Sequence, residues 1–255
     1  MLGLFGKSRF LDADIEDWCL ETWAWLLINL GGLKRQREMQ LVLATRDFFP
    51  PTDAVGHERA LYVFEQVKLW MGMQDWACEL HADDRGEQLQ RVGTFNALQH
   101  RRRAPDGTFR IEDGQVVITY AADLVAQPRR LIATLSHELA HYLLASVRKP
   151  IPGGNDLREL ATELTAAYCG FGLFGANDAF NFQQHQDAFG QGWSTGRRGY
   201  FSESTWAFAI ALFTTLNEIE VPKGELKDSV AHLTRRAIKY LKRNPERLEP
   251  LKAIQ

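Results

Sequence analysis

The sequence predicts an α+β protein in which a small, mostly antiparallel sheet packs beside a helical core. Of the 255 residues, 45% are hydrophobic and 24% are charged, a composition typical of a folded chain with a sizeable core. Residues 108–111 and 115–120 read as two short strands on either side of an Asp-Gly pair, which indicates a β-hairpin. From about Pro128 onward, apolar residues recur with helical spacing. The strands are therefore expected before the main helices along the chain.

The N-terminal region, residues 1–114, is predicted to mix helices with short strands. Asp12 or Asp14 caps a first helix, and Gly31 with the glycine after it ends that helix. A second helix is predicted over residues 58–71, because its apolar side chains fall on one face. Two short apolar runs predict strands, at residues 39–44 and 78–82.

The hairpin is the clearest β signal in the chain, and it leads into the helices. Its strands are predicted at residues 108–111 and 115–120, and Asp113 with Gly114 forms the turn. Four further helices are predicted, at residues 129–146, 156–174, 203–217 and 229–242. We expect one compact domain with three regions, residues 1–114, 115–175 and 176–255.

Charge and cysteine content narrow the classes of partner. Thirty Lys and Arg residues against 32 Asp and Glu residues give a formal net charge of −2, so no nucleic acid partner is expected. No apolar run is long enough to span a bilayer, and the apolar start of the chain is too short for a secretory signal, so we expect a cytoplasmic protein. Cys19, Cys78 and Cys169 are too widely spaced to predict a disulfide framework or a cysteine zinc cluster.

The sequence His137-Glu138-Leu-Ala-His141 is an H-E-x-x-H motif within a predicted helix. Residues four apart share one helix face, so both imidazoles can reach one ion. A catalytic zinc takes three protein ligands and keeps a fourth position for water. Glu138 would lie beside that ion as a general base. The alternative is a pair of core histidines with no metal.

A third ligand is predicted on the next helix. In one class of zinc protease the motif continues to a third histidine, but here Leu144 and Val147 occupy the required glycine and histidine positions, which excludes that class. Glu159 follows a Pro- and Gly-containing loop, and antiparallel packing would bring it to the height of His141. Glu163, one turn further, is expected to accept a hydrogen bond from the free N–H of a ligating imidazole. It is also the main alternative to Glu159 as the third ligand. The alternative is two solvent-facing glutamates.

His137, Glu138, His141 and Glu159 together resemble the gluzincin type of zinc metallopeptidase. Thr162 and Glu163 stand where thermolysin-like members carry Ser-Asp. The resemblance covers about residues 115–175, and the chain looks more like minimal gluzincins and uncharacterised bacterial H-E-x-x-H proteins than like full-length secreted thermolysins. It implies a zincin-like domain, a Zn²⁺ cofactor, a peptide or protein substrate, and an edge strand above the metal that pairs with the substrate. The candidate for that strand is residues 115–120.

The function predicted from these residues is zinc-dependent peptide hydrolysis. Zinc would be held by His137, His141 and Glu159, with Glu138 activating water. Tyr200 is the candidate donor to the oxyanion, and His185 and His232 are the other candidates. Two alternatives remain open: a binding or regulatory module with little or no turnover, and a structural zinc whose fourth ligand is His185 or Glu163.

Three other sequence features are predicted to be structural. The G-x-G-x-x-G sequence at residues 170–175 ends a helix instead of following a strand, so it predicts close helix packing and no dinucleotide site. The G-x-S-x-G sequence at residues 192–196 lacks the preceding strand of a serine hydrolase. The arginines at 101–103 predict a solvated loop.

The polar segment 181–200 is expected to rim the cleft.

Overall fold

The computed structural model describes residues 9–83, 106–178 and 201–255. It is a mixed α+β protein, as predicted, with a small sheet packed against helices. The elements, in chain order, are α1 Ala13–Asn29, α2 Gly32–Arg37, α3 Gly56–Trp70, β1 Glu79–Asp83, β2 Gly107–Glu112, β3 Gln115–Ala121, α4 Pro128–Ser146, α5 Arg158–Tyr168, α6 Glu203–Leu216, α7 Asp228–Arg243 and α8 Glu249–Lys252. A further helical segment covers residues 172–178.

The described residues divide into two compact units. One contains the chain up to Leu41 together with the chain from Val147 onward, and the other runs from Val42 to Ser146. The sheet, α3 and α4 belong to the Val42–Ser146 unit, whereas α1 and α5 to α8 belong to the first. That the whole chain is one domain stays a prediction.

The sheet of the Val42–Ser146 unit is mixed rather than mostly antiparallel. Its order is β1-β3-β2 in the described residues, with β1 parallel and β2 antiparallel to β3. The β2–β3 hairpin is confirmed, since Asp113 and Gly114 both have positive φ, at 50° and 83°, as a two-residue hairpin turn requires. Because β1 pairs with its other side, β3 is the central strand. The prediction that residues 115–120 form an edge strand is therefore wrong.

Two other predictions about elements are wrong for identifiable reasons. The apolar run at residues 39–44 forms no strand; Leu41 and Val42 are buried, but no described strand pairs with them. Burial alone produces the same apolar pattern as a strand. The predicted helix 156–174 ends at Tyr168, because Gly170 has a φ of 90° and any side chain there would collide with the carbonyl of Gln40.

The first unit has its core around α6. Its buried side chains include Trp206, Phe208, Leu212 and Phe213. The G-x-G-x-x-G sequence mediates close packing, as predicted, since a side chain on Gly175 would collide with the Trp206 ring.

In the two units together, Cys19 and Cys169 are buried free thiols and Cys78 is partly buried. Burial raises the pKa of the Cys169 thiol to about 12.

None of the helices formed by the described residues has both the length and the apolar character needed to cross a bilayer.

Candidate metal centre

The H-E-x-x-H motif lies on α4, a helix anchored by its own apolar side chains. Eleven of its 19 residues are buried, among them a leucine at every fourth position, Leu131, Leu135, Leu139 and Leu143. The helix packs on α3, β2 and β3 of the Val42–Ser146 unit, and its buried apolar side chains fix the rotation of α4 about its axis. The histidines of the motif are consequently half-buried rather than free on the surface.

The two imidazoles of α4 converge at a spacing that suits a metal ion. Nε2 of His137 and Nε2 of His141 lie 3.1 Å apart, and the two rings are nearly perpendicular at 81°. Two nitrogens bound tetrahedrally to one Zn²⁺ at about 2.05 Å would lie about 3.3 Å apart. The spacing of these nitrogens is therefore already close to that of two ligands on one ion.

Aromatic side chains pack against His141. The ring of Phe109, on β2, stacks on that of His141 at a centroid distance of 6.2 Å and also on that of Tyr142 at 5.9 Å. The Tyr142 hydroxyl donates to the carbonyl of Ala77, and burial raises the pKa of Tyr142, so the phenol keeps the proton it donates. These contacts restrict the orientation of His141 within its own unit.

Glu138 lies against the start of β2. Its side chain is only 6% exposed, and a Cβ placed on Gly107 would lie 3.0 Å from its Oε1 atom and 2.6 Å from Cγ2 of Thr134. The glycine thus gives the carboxylate room beside the strand. A buried ion pair between Asp106 and Arg130 joins the start of β2 to the first turns of α4. Gly107, Phe109 and Asp106 were not predicted as site residues, because no local sequence pattern marks them as neighbours of the H-E-x-x-H motif.

Glu159 supplies a third donor atom. It is exposed in the first turn of α5. One nitrogen from each of His137 and His141 and one carboxylate oxygen of Glu159 all lie within 4.8 Å of one another, so these residues form a candidate metal-binding group. This spread is larger than the roughly 3.3 Å between ligands of a bound tetrahedral ion.

The neighbours of Glu159 on α5 are more buried than Glu159 itself. Glu163, one turn further, is 4% exposed, and Thr162 is fully buried with its hydroxyl donating to the carbonyl of Arg158. The alternative of two solvent-facing glutamates therefore does not apply to Glu163. Glu163 is not a member of the three-residue group, and its role stays a prediction.

Of the remaining predicted site residues, only His232 belongs to the described part of the chain. Tyr200 and His185, the segment 181–200 that contains both, and the G-x-S-x-G sequence at residues 192–196 lie outside the described residues, as do the arginines at 101–103. His232 is described and lies on the exposed face of α7. None of the three candidate oxyanion donors is therefore tested by the geometry.

Comparison with known proteins adds no relative. No family model matches the chain, and neither the curated proteins nor the solved structures include a significant match. The class of site thus rests on the donor set itself, namely two imidazole nitrogens and a carboxylate oxygen around an H-E-x-x-H helix.

Proposed function

We propose that the protein is a zinc-dependent metallopeptidase of the gluzincin type, with His137, His141 and Glu159 as ligands. The proposal depends on one observation, the grouping of two imidazole nitrogens and one carboxylate oxygen within 4.8 Å. Two histidines with one glutamate are the ligand set of a class of catalytic zinc sites, and three protein ligands leave one position open. Structural zinc sites, by contrast, are closed by four protein ligands.

The proposed chemistry assigns the proton transfers to Glu138. His137, His141 and Glu159 would hold the zinc ion, and its chemistry when bound would be polarisation of the substrate carbonyl and a lowered pKa, about 7, for a bound water. The Glu138 carboxylate accepts a proton from water as the peptide carbonyl is attacked, and returns it to the nitrogen of the leaving amine. Burial of Glu138 beside Gly107 limits the positions that its carboxylate can take, which favours this role.

Two supporting residues complete the proposal. Glu163 accepts the free N–H of a ligating imidazole, fixing its tautomer; its burial and its place one turn beyond Glu159 support this role. Tyr200 donates a hydrogen bond to the oxyanion of the tetrahedral intermediate.

The substrate strand is reassigned from β3 to β2. In the described sheet β2 is an edge strand, and it is the strand that carries Gly107 against Glu138 and Phe109 against His141. An extended peptide that adds to this edge gains main-chain hydrogen bonds. Its backbone would then run past the proposed base.

Metal content tests the ligand assignment. Purified protein loaded with Zn²⁺ and then desalted is expected to retain one zinc per chain by elemental analysis. Glu163→Ala is expected to retain that zinc as well, because Glu163 is proposed to position an imidazole and not to bind the ion. Loss of zinc from Glu163→Ala, with Glu159→Ala unaffected, would reassign the third ligand.

Peptide hydrolysis tests the reaction. A fluorogenic peptide library incubated with the zinc-loaded protein is expected to yield cleavage that Glu138→Gln reduces by about 10³-fold, within the range for loss of a general base. The variant must still bind zinc stoichiometrically. Absence of cleavage by a zinc-replete wild-type protein would support the alternative, a metalloprotease fold that acts as a binding or regulatory module.

A further inference from the structure

The helix α7 exposes a continuous positively charged face. Its opposite face is buried through Val230, Thr234, Ala237 and Leu241, and the helix packs on α6. We call the exposed cations of α7 the basic face; they are Arg235, Arg236, Lys239, Lys242 and Arg243. Their spacings of three and four residues place them on one side of the helix.

The charges of the basic face are not neutralised within the described part of the chain. No hydrogen bond or ion pair joins any of the five cations to another described residue, whereas Arg247, just beyond the helix, pairs with Asp17. The only acidic residue of α7 is Asp228, at its first position. Like charges three and four residues apart repel each other, as Arg235 and Lys239 do here. The helix dipole favours cations in the last turn, which accounts for Lys242 and Arg243 alone.

The basic face has no apolar or aromatic component. The large hydrophobic residues that are exposed elsewhere in the described chain include none from α7. A helix that inserts into a membrane surface, or that docks in a hydrophobic groove, needs apolar side chains on its exposed face. Single-stranded nucleic acids are held mainly by stacking of bases on aromatic rings. The positive charge of the basic face is therefore the property through which it would recognise a partner.

The cations form a narrow line instead of a broad patch. From Arg235 to Arg243 the helix rises about 12 Å, at about 1.5 Å per residue. Exposed carboxylates flank the cations along the chain, with Asp228 at the first position of α7 and Glu246 and Glu249 just after its last, so the positive charge is confined to this short line. A rod with phosphates along its backbone can contact the line of cations without covering the ends. Double-stranded DNA carries one charge per about 1.7 Å of axis.

We propose that the basic face of α7 binds the phosphate backbone of double-stranded DNA, without reading its sequence. The whole-chain net charge of −2 does not reveal this face, because acidic residues elsewhere in the chain cancel its positive charge in the sum. The expectation that the chain has no nucleic acid partner rests on that sum alone. Three of the five cations are arginines, whose planar guanidinium can contact a phosphate through two N–H groups. The proposal does not depend on the metallopeptidase assignment.

The test is fluorescence anisotropy of a labelled 20-base-pair duplex titrated with the full chain, in EDTA, at several salt concentrations. Five phosphate contacts predict that log K falls against log salt with a slope of about −4.5. The variant Arg236→Gln/Lys239→Gln/Arg243→Gln is expected to bind at least tenfold more weakly, with a slope of about −2. A charge-conserving variant, Arg236→Lys/Arg243→Lys, is expected to keep the wild-type slope.

The matched control removes the same number of charges elsewhere. Lys34, Arg46 and Lys223 are exposed, and the triple glutamine variant at these positions is expected to bind within twofold of wild type. Equal weakening in this control, no binding by the wild-type chain at 50 mM salt, or wild-type binding by the α7 triple variant would each overturn the proposal. Competition gives a further test, in which phosphatidylserine vesicles, poly-glutamate and unlabelled duplex are compared at equal charge concentration. If the vesicles or poly-glutamate displace the labelled duplex at a lower charge concentration than unlabelled duplex does, the partner is a different one and the proposal is overturned.

Discussion

His137 and His141 on α4 are half-buried, whereas Glu159 on α5 is exposed in the first turn of its helix. The positions of the imidazoles are set within their own unit, because α4 is anchored by buried leucines and the Phe109 ring stacks on His141. The Glu159 side chain is more exposed than either imidazole. A metal ion would therefore find two ligands already in place and draw in the third. The two histidines should contribute most of the affinity, and Glu159 a smaller share with more tolerance for change.

The largest effect is expected from the histidines. His141→Ala should lower zinc affinity by about a thousandfold, or about 4 kcal/mol, because one nitrogen of a preformed pair is lost and water must replace it within a half-buried site. Competition with a chromophoric chelator measures the change. His81→Ala is the control, since His81 is exposed and paired with Glu79 on β1. Equal losses in the two variants would mean that the zinc is bound non-specifically.

Gly107→Ala should lower peptide hydrolysis by about a hundredfold with little change in zinc affinity. The new methyl group would meet Cγ2 of Thr134 at 2.6 Å and both Cγ and Oε1 of Glu138 at 3.0 Å, so it would push the carboxylate from the position that its burial gives it. A displacement of about 1 Å in a reacting group is enough for a loss of this size. Single-turnover rates with saturating zinc give the measurement.

A second substitution separates the two contacts made by that methyl group. Thr134→Ser removes the Cγ2 atom and leaves Glu138 in place. If the loss comes from the base, Gly107→Ala/Thr134→Ser should remain as slow as the single variant. Recovery of the rate in the double variant would show that the strain acts through Thr134 and the helix, and would remove the argument that Gly107 makes room for the base.

How much of this site the sequence reveals depends on whether the information is local. The H-E-x-x-H spacing, the helical period of α4 and the Asp-Gly turn are local patterns, and each predicted its element correctly. The order of the strands is not local. Whether β2 or β3 becomes an edge depends on where β1, more than 30 residues earlier along the chain than β3, inserts into the sheet. The neighbours of the motif, Gly107 and Phe109, follow from that order and could not be predicted.

A similar limit applies to α5. The apolar pattern of residues 156–174 is continuous, yet the helix ends at Tyr168, because the backbone around Gln40 approaches too closely for any residue but glycine at position 170. A glycine within an apolar run is compatible with both a continuous and a broken helix. The position of Glu159 was unaffected, since the first turn of α5 is set by the turn at residues 153–157 that precedes it.

Glu159→Ala should lower zinc affinity by about 30-fold, or about 2 kcal/mol, clearly less than His141→Ala. The exposed position lets water take the place of the lost carboxylate. Glu58→Ala is a close control, because Glu58 is also an exposed glutamate in the first turn of a helix and has the same interaction with the helix dipole. A loss from Glu159→Ala that equals or exceeds the loss from His141→Ala would contradict the contrast between fixed and adjustable ligands.

The smallest effect is expected from the aromatic contact that orients His141. Phe109→Leu keeps an apolar side chain of similar length but removes the stacked ring, a pairing worth about 1 kcal/mol, so zinc affinity should fall about fivefold if the ring restrains the imidazole before metal binding. Phe48→Leu is the matched control, because it removes a ring that packs on Trp70 in the same unit at 4.8 Å. Both variants should lose a similar amount of stability towards denaturant, but only Phe109→Leu should weaken zinc binding. If the two variants bind zinc equally well, the histidine pair owes its geometry to the α4 backbone and its leucines alone.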